Sequence, residues 1–163
     1  TYKATDGSMN SRTATVTINV QPPPPVTYAN NTGMSILDRN TITSSIVITD
    51  TFSITDLNIQ LDIDHEKNED LDVYLISASG TRIKLFTDVG RRGRGFKNTI
   101  LDDEAATSIT RAKGSSAGSY RPEGDLLSQL DGEEIFGTWT LEITDDSHHR
   151  TGTLNSWSLI IEH

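Results

Sequence analysis

The chain contains no cysteine among its 163 residues. That excludes disulfides, thiol catalysis and every cysteine-based zinc or iron–sulfur centre. It does not exclude secretion, because a domain of this size can bury a core without covalent staples. Methionine is nearly absent too, at 2 residues, and aromatics make up only 6%. No apolar run approaches the roughly 18 residues that a membrane helix needs, so no membrane insertion is expected. No window of about 11 residues or more holds a helical period. Positive charge is scarce: 14 Lys and Arg stand against 23 Asp and Glu, for a net charge of −9 and a pI near 4.7. Nucleic acid is therefore a poor partner, since binding it takes a basic face. The chain is also too short for a (β/α)8 catalytic barrel, which runs to about 250 residues.

What is abundant is hydroxyl. The sequence holds 22 Thr and 16 Ser. Threonine and the β-branched residues favour strands, and strand patterns follow one another along the chain. Leu57, Ile59, Leu61 and Ile63 alternate with Asn58, Gln60, Asp62 and Asp64. Leu71, Val73 and Leu75 alternate with Asp72 and Tyr74, and Ile83 and Leu85 flank Lys84. Trp139, Leu141 and Ile143 share one phase, as do Trp157, Leu159 and Ile161. Ile46-Val47-Ile48 is a short β-branched run, and Ser79-Gly80-Thr81 marks a hairpin. Period-2 patterns of this kind bury one face of each strand. Many short strands with polar loops predict an all-β sandwich, jelly roll or barrel.

The chain divides on paper into three parts. Residues 1–21 read as the closing hairpin of a preceding repeat, with Ala14, Val16, Ile18 and Val20 alternating against threonines. Tyr2-x-Ala4-x-Asp6-Gly7 and Ala14-Thr15-Val16-Thr17-Ile18 resemble the end of an immunoglobulin-like or cadherin-like repeat. A lone hairpin is marginal in water. Pro22 to Pro25 form a stiff polyproline spacer, and residues 26–163 form the main module. The start at Thr1, without Met and mid-pattern, leads to the expectation of a fragment from a longer precursor.

Three blocks carry a family resemblance. The first is Asp70-Leu71-Asp72-Val73-Tyr74-Leu75-Ile76-Ser77-Ala78-Ser79-Gly80-Thr81. The second is Gly118-Ser119-Tyr120-Arg121-Pro122-Glu123-Gly124, followed by Leu126 and Leu130. The third runs from Gly137-Thr138-Trp139 to Asp145, then from Thr151-Gly152-Thr153 to Trp157-Ser158-Leu159. In order and spacing they resemble the P domain, or Homo B domain, of kexin- and furin-like proprotein convertases and of secreted bacterial subtilisin-like proteases. Two positions depart from the family pattern: Asn68-Glu69-Asp70 stands where convertases have RGD, and Ala78 replaces a proline. Asn98-Thr99-Ile100-Leu101-Asp102-Asp103-Glu104-Ala105 looks like the bacterial branch. The resemblance implies a jelly-roll-like β-sandwich of mostly antiparallel strands. It also implies a non-catalytic, secreted accessory domain that adjoins and stabilises the protease catalytic domain of its own precursor and tunes that protease's calcium and pH dependence. The module itself is expected to be monomeric, with calcium as its candidate cofactor.

Acidic residues supply the candidate metal ligands: Asp70 and Asp72, then Asp102, Asp103 and Glu104, then Asp145 and Asp146. Calcium takes six to eight oxygens, largely from carboxylates and carbonyls on loops, so three clusters serve one ion if the fold unites them. Asp62 and Asp64 alternate with inward residues and belong to a solvated face. A glycosidase-type carboxylate pair lacks any supporting feature. A Ser–His–Asp triad fails as well, because no serine stands in a nucleophile motif. His148 and His149 read as loop histidines, with a transition-metal site beside Asp146 as the alternative. Arg91, Arg92, Arg94 and Lys97 form a basic stretch in an acidic protein. It reads either as a solvated flexible loop or as an interface with an acidic partner. Trp139 and Trp157 are expected in the core rather than on a sugar-stacking platform. The competing function is an autonomous module that binds polysaccharide or a collagen-like matrix.

Overall fold

The structure, a computed structural model, describes Gly7, residues 15–113 and residues 116–163 (backbone only at Ser116). Most of the expected N-terminal hairpin lies outside the described residues. Residues 15–25 form no strand, and Val16, Ile18 and Val20 are 62%, 79% and 87% exposed.

From Val26 the chain forms ten strands: β1 (Val26–Asn30), β2 (Met34–Ile36), β3 (Thr41–Ile48), β4 (Asp56–His65), β5 (Leu71–Ile76), β6 (Arg82–Thr87), β7 (Phe96–Leu101), β8 (Ser116–Tyr120), β9 (Gly137–Asp145) and β10 (Gly152–Glu162). Short 3-10 turns cover Asn68–Asp70, Ile109–Arg111 and Leu127–Leu130. One sheet has the order β1-β10-β4-β7-β8, with β2 also on β10. The other has the order β3-β9-β5-β6. All pairings are antiparallel except β7 with β8. The protein is an all-β sandwich.

The alternations seen in the sequence become the facing layers of the sandwich. Leu57, Ile59, Leu61 and Ile63 on β4 are buried, as are Leu71, Val73 and Leu75 on β5 and Trp139, Leu141 and Ile143 on β9. Both tryptophans lie in this core, and each indole N–H finds an acceptor. Trp139 Nε1 donates to the Ile135 carbonyl at 2.8 Å, and Trp157 Nε1 donates to Ser44 Oγ at 2.9 Å. A buried indole without a partner would forfeit part of its packing gain.

β7 and β8 escape the simple pattern. Asn98 sits at φ 46 in the middle of β7, and the β4–β7 register shifts between Leu61 and Ile63. That irregularity breaks the period of two. β8 is built from small and polar residues and pairs in parallel at the sheet edge.

Core and surface positions should part clearly under denaturant. Leu61→Ala should cost about 2–5 kcal/mol in urea unfolding. Val47→Ala, at a side chain 71% exposed on β3, should change stability by no more than about 0.5 kcal/mol.

Candidate functional site

The candidate site lies at the end of the sandwich where β4 and β9 finish and β10 begins. Backbone bonds bring its segments together. Asn68 N–H donates to the Gly93 carbonyl at 3.0 Å, Glu69 N–H to Arg91 at 3.1 Å, Asp146 N–H to Asp70 at 3.0 Å, and Glu66 N–H to Thr151 at 3.3 Å.

Asn68 organises the glycine-rich loop. Its side chain is fully buried. Nδ2 donates to the Gly95 carbonyl at 2.9 Å, and Oδ1 accepts the Gly95 N–H. The amide therefore treats Gly95 as one backbone treats its neighbour in a ladder. Gly95 has φ +99, and a Cβ there would stand 2.2 Å from the Ile63 carbonyl oxygen. Only glycine lets the loop enter β7 at this approach. Gly93 N–H also closes a turn onto the Gly90 carbonyl at 3.0 Å. The expected flexible loop is thus a tethered one, with Arg91, Arg92 and Arg94 still exposed.

The basic residues separate by role. Lys97 turns back on its own chain, with Nζ 3.2 Å from Asp62 and 2.6 Å from Asp64 on β4. Asn155 Nδ2 donates to both carboxylates at 2.9 Å. Arg92 and Arg94 instead line a cleft with Lys67 and Arg150. The sequence patterns pointed to neither Lys67 nor Arg150 as part of this group.

His65 is the other residue the motifs missed. It continues the odd-numbered buried phase of β4, and that phase was the available signal. Its side chain is fully buried, with Nε2 donating to Asp145 Oδ2 at 3.0 Å. Nδ1 lies 2.7 Å from the Lys67 carbonyl oxygen. Gly152 admits the ring, because a Cβ there would meet His65 Cδ2 at 2.5 Å. Both nitrogens of this His–Asp pair are occupied, which leaves none to activate a nucleophile.

The three acidic clusters occupy two places. Asp102, Asp103 and Glu104 lie near Asp56, where β4 starts. Asp70, Asp72, Asp145 and Asp146 lie toward its finish at His65. Ten strand residues separate these ends by about 30 Å, so no single ion reaches both groups. Asp103 has structural work: it accepts the N–H groups of Leu127 and Ser128 at 3.1 and 2.9 Å and caps that 3-10 turn. Asp102 Oδ1 accepts Glu104 N–H at 2.7 Å. Asp145 is engaged by His65 and by Ser147 N–H at 3.1 Å. Asp70 accepts Lys67 Nζ at 2.7 Å.

Asp72, like Asp70 at Oδ2, keeps one buried oxygen, Oδ1, without a hydrogen-bond partner. Burial first, then the charges of Asp146, Asp88 and Glu123, push its carboxyl above the usual aspartate range. Asp88 rises for the same reasons, with burial first and Asp146 next. Glu123 is held by Thr87, whose N–H and hydroxyl donate to it at 2.8 and 3.1 Å. Among the described residues no three His, Asp or Glu side chains stand as a ready metal-holding group.

A sandwich with this motif order defines a class, and the comparisons place the chain within it. The chain belongs to the proprotein convertase P-domain family, whose family model matches residues 54–161. It is 28% identical over 150 residues to an extracellular basic protease of Dichelobacter nodosus. That match covers 85% of this chain and 20% of the relative, so the chain spans about a fifth of that protein's length. The crystal structure of the serine protease of Aeromonas sobria is similar at 22% identity and a TM-score of 0.56. It is covered over 28% of its chain, against 89% of this one. The same protease in complex with a chaperone gives the same values.

Two outcomes follow from this geometry. Asn68→Ala strands both the N–H and the carbonyl of Gly95, at about 1–3 kcal/mol for each buried group. Trypsin should then cut rapidly at Arg91, Arg92 or Arg94, while the parent chain resists. Equal digestion of both chains would refute the tether. The acids give a pH response as well. Asp72 and Asp88 hold protons in the folded chain at higher pH than in the unfolded chain. Metal-free stability should therefore rise as pH falls from neutrality into the window above the ordinary aspartate range. Asp64, held low by Lys97 and Asn155, acts oppositely, and its contribution is lost at still lower pH. Thermal melts in chelator should show a maximum on the acid side of neutrality, and Asp72→Asn should flatten its upper limb.

Proposed function

We propose that this chain is the non-catalytic P domain of a secreted subtilisin-like serine endopeptidase, adjoining and stabilising the protease domain of the same precursor. The observation that carries the reading is the family match over residues 54–161, in a chain that spans only a fifth of its extracellular protease relative. The occupied ring nitrogens of His65 support a non-catalytic role, because its environment fixes the imidazole instead of freeing it. So do the exposed positions of His148 and His149, which have no serine nucleophile motif to serve.

The reading extends to calcium. Asp72, Asp88, Asp146 and Glu123 repel one another across one edge of the β5–β6 region, where Lys84, 3.8 Å from Glu123, offsets only part of the negative charge, and an ion would supply the rest. These carboxylates would gather on the ion as ligands. Asp102, Asp103 and Glu104, at the far end of β4, would take no part.

The purified chain should show no hydrolysis of a protein substrate. Deleting residues 54–161 from the full precursor should shorten the active lifetime of its protease on heating. Peptidase activity in the isolated chain, or an unchanged lifetime after deletion, would overturn the reading. For calcium, an excess of the ion should raise the melting temperature relative to chelator, and Asp72→Asn should abolish the difference. Identical melts of the parent chain would remove the ion from the account.

A further inference from the structure

Charge is shared unequally between the two outer faces of the sandwich. On the sheet β1-β10-β4-β7-β8, the outward positions of β4 include Asp56, Asp62 and Asp64, and Glu162 of β10 stands opposite Asp56. The β3–β9 half of the other sheet differs. β3 holds no ionisable residue, and it turns Thr41, Thr43, Ser45 and Val47 outward. Opposite them on β9 stand Thr144, Glu142, Thr140 and Thr138. Only Glu142 among these eight is charged, and Arg82 pairs with it at 2.7 Å. Ile76 of β5 lies beside Thr140. Phe136, 57% exposed, immediately precedes β9 at the Val47 end. In a chain of net charge −9, this is a broad face without net charge.

Its polar groups are largely served from within. Thr41 Oγ1 and Thr144 Oγ1 are 2.8 Å apart, and Ser45 Oγ and Thr140 Oγ1 are 3.3 Å apart. Hydroxyls bonded to each other across the strands keep those bonds when water is removed, and the threonine methyls remain for packing. Covering the acidic face would instead strip water from carboxylates. The centres of protein interfaces are depleted in charge for the same reason.

The same features choose among occupants. A neutral polysaccharide needs hydrogen-bond partners, and here two pairs of hydroxyls already spend their bonds on each other. Tyr74, the aromatic ring at the outward positions of this sheet, lies under the Arg82 guanidinium, 3.3 Å from its centroid, and is closed to a sugar ring. The eight residues of β3 run about 26 Å, and neighbouring strands add about 5 Å each in width. That extent suits a contact between domains of one chain, which buries about 600–1,500 Å² in all. It is small for an obligate dimer, which buries roughly 2,000 Å² or more. A tethered domain also meets the face at a high effective concentration, whereas a second copy must find it from solution.

Resting on the accessory reading given above, we propose that the outer face of β3 and β9, centred on Thr43, Val47, Thr138 and Thr140, is the surface that docks on the protease domain of the same precursor. The docked surface of the protease domain is then uncharged and apolar where it meets Val47, and the acidic face of β4 points away from it to solvent.

The absence of cysteine from the chain makes single introduced thiols clean reporters. Thr43→Cys and Val47→Cys sit on the proposed face, and Thr27→Cys sits on an exposed outward position of β1 in the other sheet. Each is made in the 163-residue chain and in the full precursor, and labelling by biotin-maleimide is located by peptide mass mapping. All three should label readily in the isolated chain. In the precursor, labelling of Thr43→Cys and Val47→Cys should slow at least tenfold, and that of Thr27→Cys should stay within twofold. Val47→Glu should shorten the heated lifetime of the precursor's protease severalfold, while the isolated Val47→Glu chain melts like its parent. Labelling of Thr43→Cys and Val47→Cys at equal rates in chain and precursor would overturn the proposal. If deleting residues 54–161 still shortens the protease's lifetime, that result removes this face alone and leaves the accessory reading standing. Protection already present in the isolated chain and lost on dilution would assign the face to a second copy. Protection of the isolated chain by laminarin, a neutral glucan, with none in the precursor would assign it to polysaccharide. Either result would overturn the proposal as well.

Discussion

The functional end of this sandwich hangs on one buried side-chain amide. Asn68 sits in a single turn of 3-10 helix between β4 and β5, and from there it binds both polar groups of Gly95. The energetic logic is asymmetric. Each bond adds little net stability, but a buried amide left without partners would cost far more. The chain therefore has one low-energy way to close this end. That closure sets the start of β7, the path of the glycine-rich loop and the direction of its arginines.

Around that anchor the charges are sorted by depth. His65 and Asp145 are sealed beneath the loops, facing each other across the ends of β4 and β9. Above them lies the arginine-lined groove, and to one side the mutually repelling carboxylates about Asp72. Opposite charges so close together would usually pair and cancel. Here backbone bonds from Asn68, Glu69 and Asp146 tie the loops together in one fixed arrangement, so each group keeps its own place. The carboxylates retain an electrostatic demand that an ion can meet.

Much of the fold was legible because the core is layered. Strands β4, β5 and β9 and the later half of β10 alternate regularly enough for the period of two to name most of their buried residues, including both tryptophans. The three motif blocks then gave the family. The period failed at Asn98 in β7, with its positive φ, and in β8, where small and polar residues precede Tyr120 and set no apolar phase. The site was less legible than the fold. Acidic clusters announce themselves in a sequence, but the fold puts two of them toward the end of β4 and one near its start. The basic stretch looked like solvated loop because its anchor, Asn68, lies more than 20 residues earlier, at a position where the chain departs from the family pattern. Lys97 could not be told apart from its arginine neighbours until β4 put Asp62 and Asp64 beside it. Arg150 joins the groove only through the pairing of β10 with β4.

The placement of β10 has a consequence for how such a domain is made. This strand lies inside its sheet, with β1 and β2 along one side and β4 along the other. The other sheet, β3-β9-β5-β6, needs nothing that comes after Asp145. During synthesis the two layers must therefore be completed in sequence. Once β9 has left the ribosome, one layer can be whole while β1 and β4 still wait for the strand that joins them. Pairings as distant as Val26 with Ile161 make that last step slow. Until it happens, the buried face of β4 is covered from one side only, and a nascent chain paused there would need protection from its neighbours.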